Sequence, residues 1–111
     1  MLVPVTDLPE PPLDELELTV VLQALGDPVR LRIVRALDGV SEKTCGTFEL
    51  GVSKATRSHH FRVLREAGVT HTRVEGTHRH ISLRREDLET RFPGLLGAVL
   101  EPAPAQIAVL A

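Results

Sequence analysis

Apolar residues recur at spacings of three and four in three stretches of this chain and predict three helices there. We expect these helices at 13–25, 28–38 and 53–68. Asp27 and Pro28 are typical of a helix start, because the aspartate accepts a hydrogen bond from a backbone N–H and proline needs none at the first helical position. Ser53 can cap the third helix in the same way, and Gly68 can adopt the left-handed conformation that ends it. The third helix is therefore bounded at both ends.

The remaining segments follow a different pattern. Residues 69–83 have β-type composition around Glu75-Gly76 and predict a hairpin, and residues 43–49 are expected to form one short helix. Pro93 and Gly94 divide the C-terminal region into two short helices, or one kinked helix, at 85–92 and 95–100. The predicted fold class is mainly α with a small β-hairpin wing (α+β), in the order of a winged helix-turn-helix.

The chain is expected to contain one such domain, at 13–100. Four prolines in residues 1–12 predict an extended N-terminal arm, and the tail at 101–111 is expected to be mobile. With 111 residues, a second domain is not expected.

Charge is segregated along the sequence. The net charge is −2, but residues 1–29 hold six acidic and no basic residues, whereas residues 53–85 hold eight basic and two acidic residues, a balance of +6. A basic segment that includes a predicted helix indicates a phosphate-bearing partner. The single cysteine excludes an intrachain disulfide framework, and no apolar run reaches the length of a membrane span of about 18 residues. A cytoplasmic location is expected, with no membrane partner.

Two runs of sequence resemble a known family. Residues 25–33, LGDPVRLRI, resemble the opening signature of the ArsR/SmtB family of bacterial transcription regulators, and residues 58–69, SHHFRVLREAGV, resemble its DNA-reading helix. The resemblance covers about residues 15–100. It implies a homodimer on an inverted-repeat operator in double-stranded DNA, commonly a repressor that is released by a metal ion or another effector.

The resemblance also implies DNA-binding residues. Lys54, Ala55, Ser58 and His59 match the family's groove-facing positions, and all but the alanine can form hydrogen bonds with a base or a phosphate. Arg57 departs from the family's usual apolar residue and is expected to reach a phosphate. The complete predicted set is Lys54, Ala55, Thr56, Arg57, Ser58, His59, Arg62, Arg73 and Arg79.

Apolar residues of the first and last helices are the predicted dimer interface. They are Leu18, Val21, Leu22, Leu95, Leu96 and Val99. The alternative is that these side chains close the core of a monomer.

A metal site is a separate hypothesis. The paired cysteines or C-terminal histidines of the family's metal sensors are absent here, because Cys45 is alone and residues 84–100 contain no histidine. A two-residue turn at Glu75-Gly76 would place His71 opposite His80, with His78 on the same face, so the three could bind Ni²⁺, Zn²⁺ or Cu²⁺. The alternative is that these histidines are solvated or touch DNA. No cofactor is required by any motif.

These observations favour a sequence-specific DNA-binding transcriptional regulator. An enzyme is not expected, since the sequence has no phosphate-binding glycine loop, nucleophile elbow or metal-binding His-Glu helix. The alternative is a winged-helix interaction module that regulates, or is regulated by, a partner protein and binds DNA only in complex.

Overall fold

Helices and one antiparallel sheet make up the computed structural model, which describes residues 4–100. The helices are α1 (Leu18–Leu25), α2 (Pro28–Leu37), α3 (Lys54–Glu66), α4 (Arg85–Arg91) and α5 (Leu95–Leu100). The strands are β1 (Val5–Asp7), β2 (Lys43–Thr44), β3 (Thr70–Glu75) and β4 (His78–Leu83), in the order β1-β3-β4-β2. This arrangement is an α+β winged helix-turn-helix, as the sequence predicts.

The core is built around the inner face of α3, which packs against α1, α2 and β3. Leu64 and Phe61 of α3 are buried, together with Ile33 of α2 and Ile81 of β4. The Phe61 ring meets the ring of Phe48 edge to face, with centroids 5.1 Å apart. Burial of these large side chains fixes which side of α3 points outward.

Local capping sets the start of both central helices. Asp27 Oδ1 accepts hydrogen bonds from the backbone N–H groups of Val29 and Arg30, at 2.8 and 3.1 Å. The Arg30 bond, with help from Val29, lowers the pKa of Asp27 below its usual value. The Ser53 hydroxyl accepts from the N–H of Thr56 at the start of α3. Both predicted helix starts are therefore confirmed.

The prediction of a first helix at 13–25 is wrong for its first half, which is not α-helical. Residues Leu13–Glu15 form a single 3₁₀ turn, and α1 begins only at Leu18. Between them Leu16 is extended and buried, and it packs against Gly68, where an added Cβ atom would overlap the leucine side chain. Gly68 also has φ +86°, so it both ends α3 and makes room for Leu16.

The short helix expected at 43–49 is also wrong. Lys43–Thr44 instead forms β2, which pairs with β4, and Cys45–Thr47 forms a 3₁₀ turn. Pairing with the exposed edge of β4 satisfies backbone groups that a one-turn helix would leave without partners. Farther along the chain, α4 and α5 are two separate helices, which agrees with one of the two predicted alternatives.

The hairpin forms, but the predicted register is wrong. Glu75 pairs with His78, so the turn consists of Gly76 and Thr77 rather than Glu75 and Gly76. Gly76 has φ +59°, and it occupies the first central position, as in a type II′ turn. In the resulting register His71 lies opposite Ser82, and His80 lies opposite Arg73.

The N-terminal arm is extended where the structure describes it, and part of it belongs to the sheet. Residues Val5–Asp7 pair antiparallel with β3, and the N–H of Leu8 donates to the carbonyl of Thr72 at 3.0 Å. Residues 1–3 of the predicted arm, and the predicted mobile tail at 101–111, lie outside the described residues.

The predicted dimer residues divide into three groups. Val21 and Leu96 are 0% and 1% exposed, so they form part of the monomer core and have no surface to offer a partner. Leu18 and Leu22, on the flank of α1 next to Val21, are 45% and 44% exposed. Leu95 and Val99 are half-buried against the core.

Replacing Asp27 tests the cap of α2. Asp27→Ala should lower the free energy of unfolding at pH 7 by about 1 kcal/mol, whereas Asp27→Asn, which keeps an acceptor oxygen, should cost much less. Because folding lowers the pKa of Asp27, its charge stabilises the fold above about pH 4 and this contribution is lost as the pH falls further. Urea unfolding at pH 7 and pH 3 measures both effects, and an equal loss in the two variants would contradict the capping role.

Candidate nucleic-acid interface

A groove of about 740 Å³ lies between α3 and the hairpin formed by β3 and β4. Five cationic side chains line it, namely Lys54, Arg57, Arg62, Arg65 and Arg79. No acidic side chain among the described residues lines it. No carboxylate in residues 4–100 forms an ion pair with any of these five. The groove therefore concentrates unneutralised positive charge.

The outward face of α3 supplies most of the predicted site. Lys54, Ala55, Ser58, His59 and Arg62 all line the groove and are exposed. They recur at spacings of three and four, and burial of His60 and Leu64 on the other side of the helix keeps this face outward. Thirteen residues make α3 about 20 Å long, enough to lie along a groove of DNA.

Thr56 and Arg57 differ from those five residues. Thr56 is exposed but lies outside the groove lining, and its hydroxyl is hydrogen-bonded to the Ser53 hydroxyl at 3.0 Å. Arg57 lines the groove and is half-buried, and its Nε has no hydrogen-bond partner among the described residues. The guanidinium adds positive charge to the lining of the groove, which favours a phosphate.

Cys45 lies in the floor of the same groove. Burial raises the pKa of the Cys45 thiol, and the positive charges of Arg57, Arg79 and Lys54 oppose part of that increase. The side chain is therefore a neutral thiol at pH 7.

Arg30 of α2 links the middle of α3 to the end of α1. Its Nε donates to the carbonyl of Ala24 at 2.6 Å, and its Nη1 lies 3.2 Å from Nδ1 of His60. Because a guanidinium can only donate, Nδ1 of His60 accepts this bond. His60 is buried, and its contact with Arg30 joins the end of α1, the start of α2 and the middle of α3.

The two arginines of the hairpin point to opposite sides of the sheet. Arg79 lines the groove, whereas Arg73 lies on the outer face, which we define as the face opposite the buried Thr72 and Ile81. There Arg73 pairs with Glu42 at 2.7 Å and with Glu75 at 3.5 Å, and its hydrogen bond lowers the pKa of Glu42. The structure therefore does not bring Arg73 into the groove with the other predicted residues.

The three predicted metal ligands share the outer face, but carboxylates contact two of them. His71 lies between Asp7 and Glu10 of the N-terminal arm. His80 has Glu42 and Glu75 each at 3.6 Å, and the rings of His78 and His80 have centroids 6.4 Å apart. Within residues 4–100, no three His, Cys, Asp or Glu side chains are arranged to hold one metal ion.

Several groove residues were not predicted as DNA-binding. Arg65 continues the spacing of Ser58 and Arg62 along α3, so helical periodicity could have added it to the site. Thr44, Cys45 and Thr77 also line the groove, as does His78, for which contact with DNA was the alternative to metal binding. Their positions depend on β2 and on the hairpin turn, which local sequence signals did not place.

Comparisons with known proteins agree with this geometry. Residues 25–73, from the end of α1 to the middle of β3, match the family model described as a helix-turn-helix domain. The chain is also 41% identical over 80 residues to the uncharacterized HTH-type transcriptional regulator YceK of Bacillus subtilis (strain 168). That match covers 68% of this chain and 79% of the relative. The chain belongs to the family of helix-turn-helix transcriptional regulators, a class of DNA-binding protein.

Within the described part of the chain, no helix combines the length and the apolar content needed to cross a bilayer.

Proposed function

We propose that this protein is a sequence-specific regulator of the ArsR/SmtB type, which binds an inverted-repeat operator as a homodimer and has no catalytic activity. The groove between α3 and the hairpin carries the proposal, because five cations without acidic partners in residues 4–100 line one concave surface. Phosphate contacts supply most of the affinity of such a surface and make it sensitive to salt.

Two kinds of contact are assigned to the groove. Lys54 can donate to the O6 or N7 acceptors of guanine, Ser58 and His59 can exchange hydrogen bonds with base edges, and Ala55 can touch a thymine methyl group. Arg57, Arg62, Arg65 and Arg79 suit backbone phosphates, which position the protein without reading sequence. Contacts at the N-terminal half of α3 are thus expected to determine sequence preference.

Groove variants test this assignment. Lys54→Ala should cost about 1–3 kcal/mol on the preferred operator and reduce discrimination between operators, whereas Arg62→Ala or Arg79→Ala should weaken binding to all sequences and reduce the salt slope by about 1 per subunit. Fluorescence anisotropy with DNA from the promoter region of the protein's own gene, at 50 and 200 mM salt, measures both quantities. The matched control is Arg35→Ala, which removes the charge of an exposed arginine of α2 outside the groove lining. Equal losses in the control and the groove variants would contradict the assignment.

The dimer is proposed to form through the exposed side of α1. Leu18 and Leu22, which are neighbours one turn apart, present apolar surface to solvent in the monomer. The half-buried Leu95 and Val99 of α5 complete the proposed interface. A two-fold axis there would place two α3 helices on successive turns of the major groove, about 34 Å apart.

Charged substitutions test the dimer. Leu18→Glu with Leu22→Glu should convert the dimer to a monomer and lower operator affinity at least about tenfold, because one half-site contact is lost. Sedimentation equilibrium gives the mass, and anisotropy gives the affinity. Val40→Glu changes a side chain that is similarly exposed (47%) but lies outside the proposed interface. A double variant that keeps the mass of a dimer would rule out this interface.

The proposal includes a response to a metal ion bound by histidines of the hairpin. His71, His78 and His80 share one face, but an ion bound by all three would require His71 to leave Asp7 and Glu10. The ion would have to be one that imidazole nitrogen ligates well, such as Ni²⁺, Zn²⁺ or Cu²⁺.

Titration calorimetry with each of these three ions tests the site. If the histidines bind metal, the double variant His71→Ala with His80→Ala should lower the affinity at least about tenfold. His59→Ala, on the exposed face of α3, is the control for loss of one surface imidazole. Unchanged affinity in the double variant would eliminate this site and leave the effector to be another ligand.

The alternative function is an interaction module with a partner protein, which the exposed apolar side chains of α1 favour. Salt separates the two functions. DNA binding with more than six phosphate contacts should weaken about a thousandfold or more between 50 and 200 mM salt, whereas an apolar protein interface should change little.

A further inference from the structure

The N-terminal arm connects parts of the protein that border the DNA groove from different sides. β1 lies along β3 in the sheet, with Val5 opposite Glu75 and Asp7 opposite Arg73. After β1, the Leu8 N–H donates to the Thr72 carbonyl at 3.0 Å. The arm therefore adds a strand to the β3 edge of the hairpin, whose other edge pairs with the two-residue β2. Additional strands stabilise a hairpin that would be only marginally stable by itself.

Two acidic residues hold the arm in this place. Asp7 Oδ1 lies 3.1 Å from Nε2 of His71, and Glu10 Oε1 contacts Nδ1 of the same ring. Glu10 Oε2 also pairs with Nη1 of Arg84 at 3.1 Å, and the Arg84 side chain is only 9% exposed. We call the contacts of Asp7 and Glu10 with His71 and Arg84 the arm clasp. The Glu10–Arg84 contact is shielded from water, so it is stronger than an ordinary surface ion pair, whereas Asp7 is 68% exposed and contributes less.

The backbone of the arm makes two further contacts with the rest of the domain. Nε of Arg65, near the end of α3, donates to the carbonyl of Pro9 at 3.2 Å. Nη1 of Arg84, just before α4, donates to the carbonyl of Pro11 at 2.7 Å. The arm thus joins β3 of the hairpin to the end of α3, and these are the two walls of the groove.

We infer that the N-terminal arm positions the hairpin relative to α3 for DNA binding, and that Asp7 and Glu10 are its positioning residues. This inference depends on the proposed function. Neither carboxylate lines the groove, so neither is expected to touch DNA. Their effect on affinity would act through the distance and angle between the two walls.

Electrostatics alone predicts the opposite result for these two residues. Removing two negative charges from a protein that binds a polyanion should strengthen binding. A positioning role predicts that the same removal weakens binding, because β3 of the hairpin loses its pairing with β1. The sign of the change therefore distinguishes a positioning role from a simple effect of charge.

The experiment compares two double variants of the full chain. Asp7→Ala with Glu10→Ala removes the arm clasp, and Asp14→Ala with Glu15→Ala removes the same charges and side-chain types from the exposed 3₁₀ turn. Anisotropy with DNA from the gene's own promoter should show the clasp variant binding about tenfold more weakly than wild type, the equivalent of one lost hydrogen-bonded contact. The control should bind as tightly as wild type or more tightly.

Amide hydrogen exchange in the absence of DNA provides a second, independent measurement. The Leu8 amide reports directly on docking of the arm, and it should exchange faster in the clasp variant, while the amide of buried Leu64 should stay protected. Protection of Leu64 shows that the domain is folded. Unchanged protection of Leu8 would mean that the acids do not hold the arm and would overturn the inference.

The outcomes separate this inference from the proposed function. If wild type binds the promoter in a salt-sensitive manner but the clasp variant binds equally or more tightly, the positioning role is wrong and the regulator stands. If wild type binds no DNA specifically, the proposed function fails and this inference fails with it.

Discussion

The packing of one apolar stripe of α3 against the core sets the orientation of this helix, and the DNA-binding face depends on that orientation. Phe61 and Leu64 can be buried only if this side of the helix faces α1, α2 and β3. With 3.6 residues per turn, the same rotation leaves Ser58, His59 and Arg62 facing solvent. Hydrophobic burial in the core and exposure of the basic face are therefore consequences of a single orientation. The caps at Ser53 and Gly68 set the length over which that face is presented.

The distribution of ion pairs explains how a chain of net charge −2 can present a basic surface. The described acidic partners engage cations outside the groove: Arg73 pairs with Glu42 and Glu75, Arg84 with Glu10 and Asp87, and Arg85 with Asp38. The groove cations keep their charge available. Overall charge is thus a poor guide to partner choice, because the folded chain determines which charges neutralise one another.

The predictable part of the candidate site lies on one helix. Resemblance to a DNA-reading helix pointed to Lys54, Ser58 and His59 without tertiary information, and all three line the groove, since residues on one helix keep fixed relative positions. The hairpin was less predictable, because its register depends on the position of the turn. Moving the turn by one residue changes every cross-strand pair. This shift separated His71 from His80, whereas Arg79 still reached the groove. The outer-face contacts of His71 and Arg73 depend on Asp7, Glu10 and Glu42, which are distant in sequence.

By itself the sequence determined the features that local interactions control. These are the extents of α2 and α3, their capping residues, the presence of a hairpin and the segregation of charge. Tertiary structure decided the pairing of β1 and β2 with the hairpin, the extended insertion of Leu16 against Gly68, and the division of the apolar residues of α1 into buried and exposed ones. Caps and helical periodicity depend on neighbours within about four residues. Strand partners and burial depend on surfaces that exist only once distant segments have packed together.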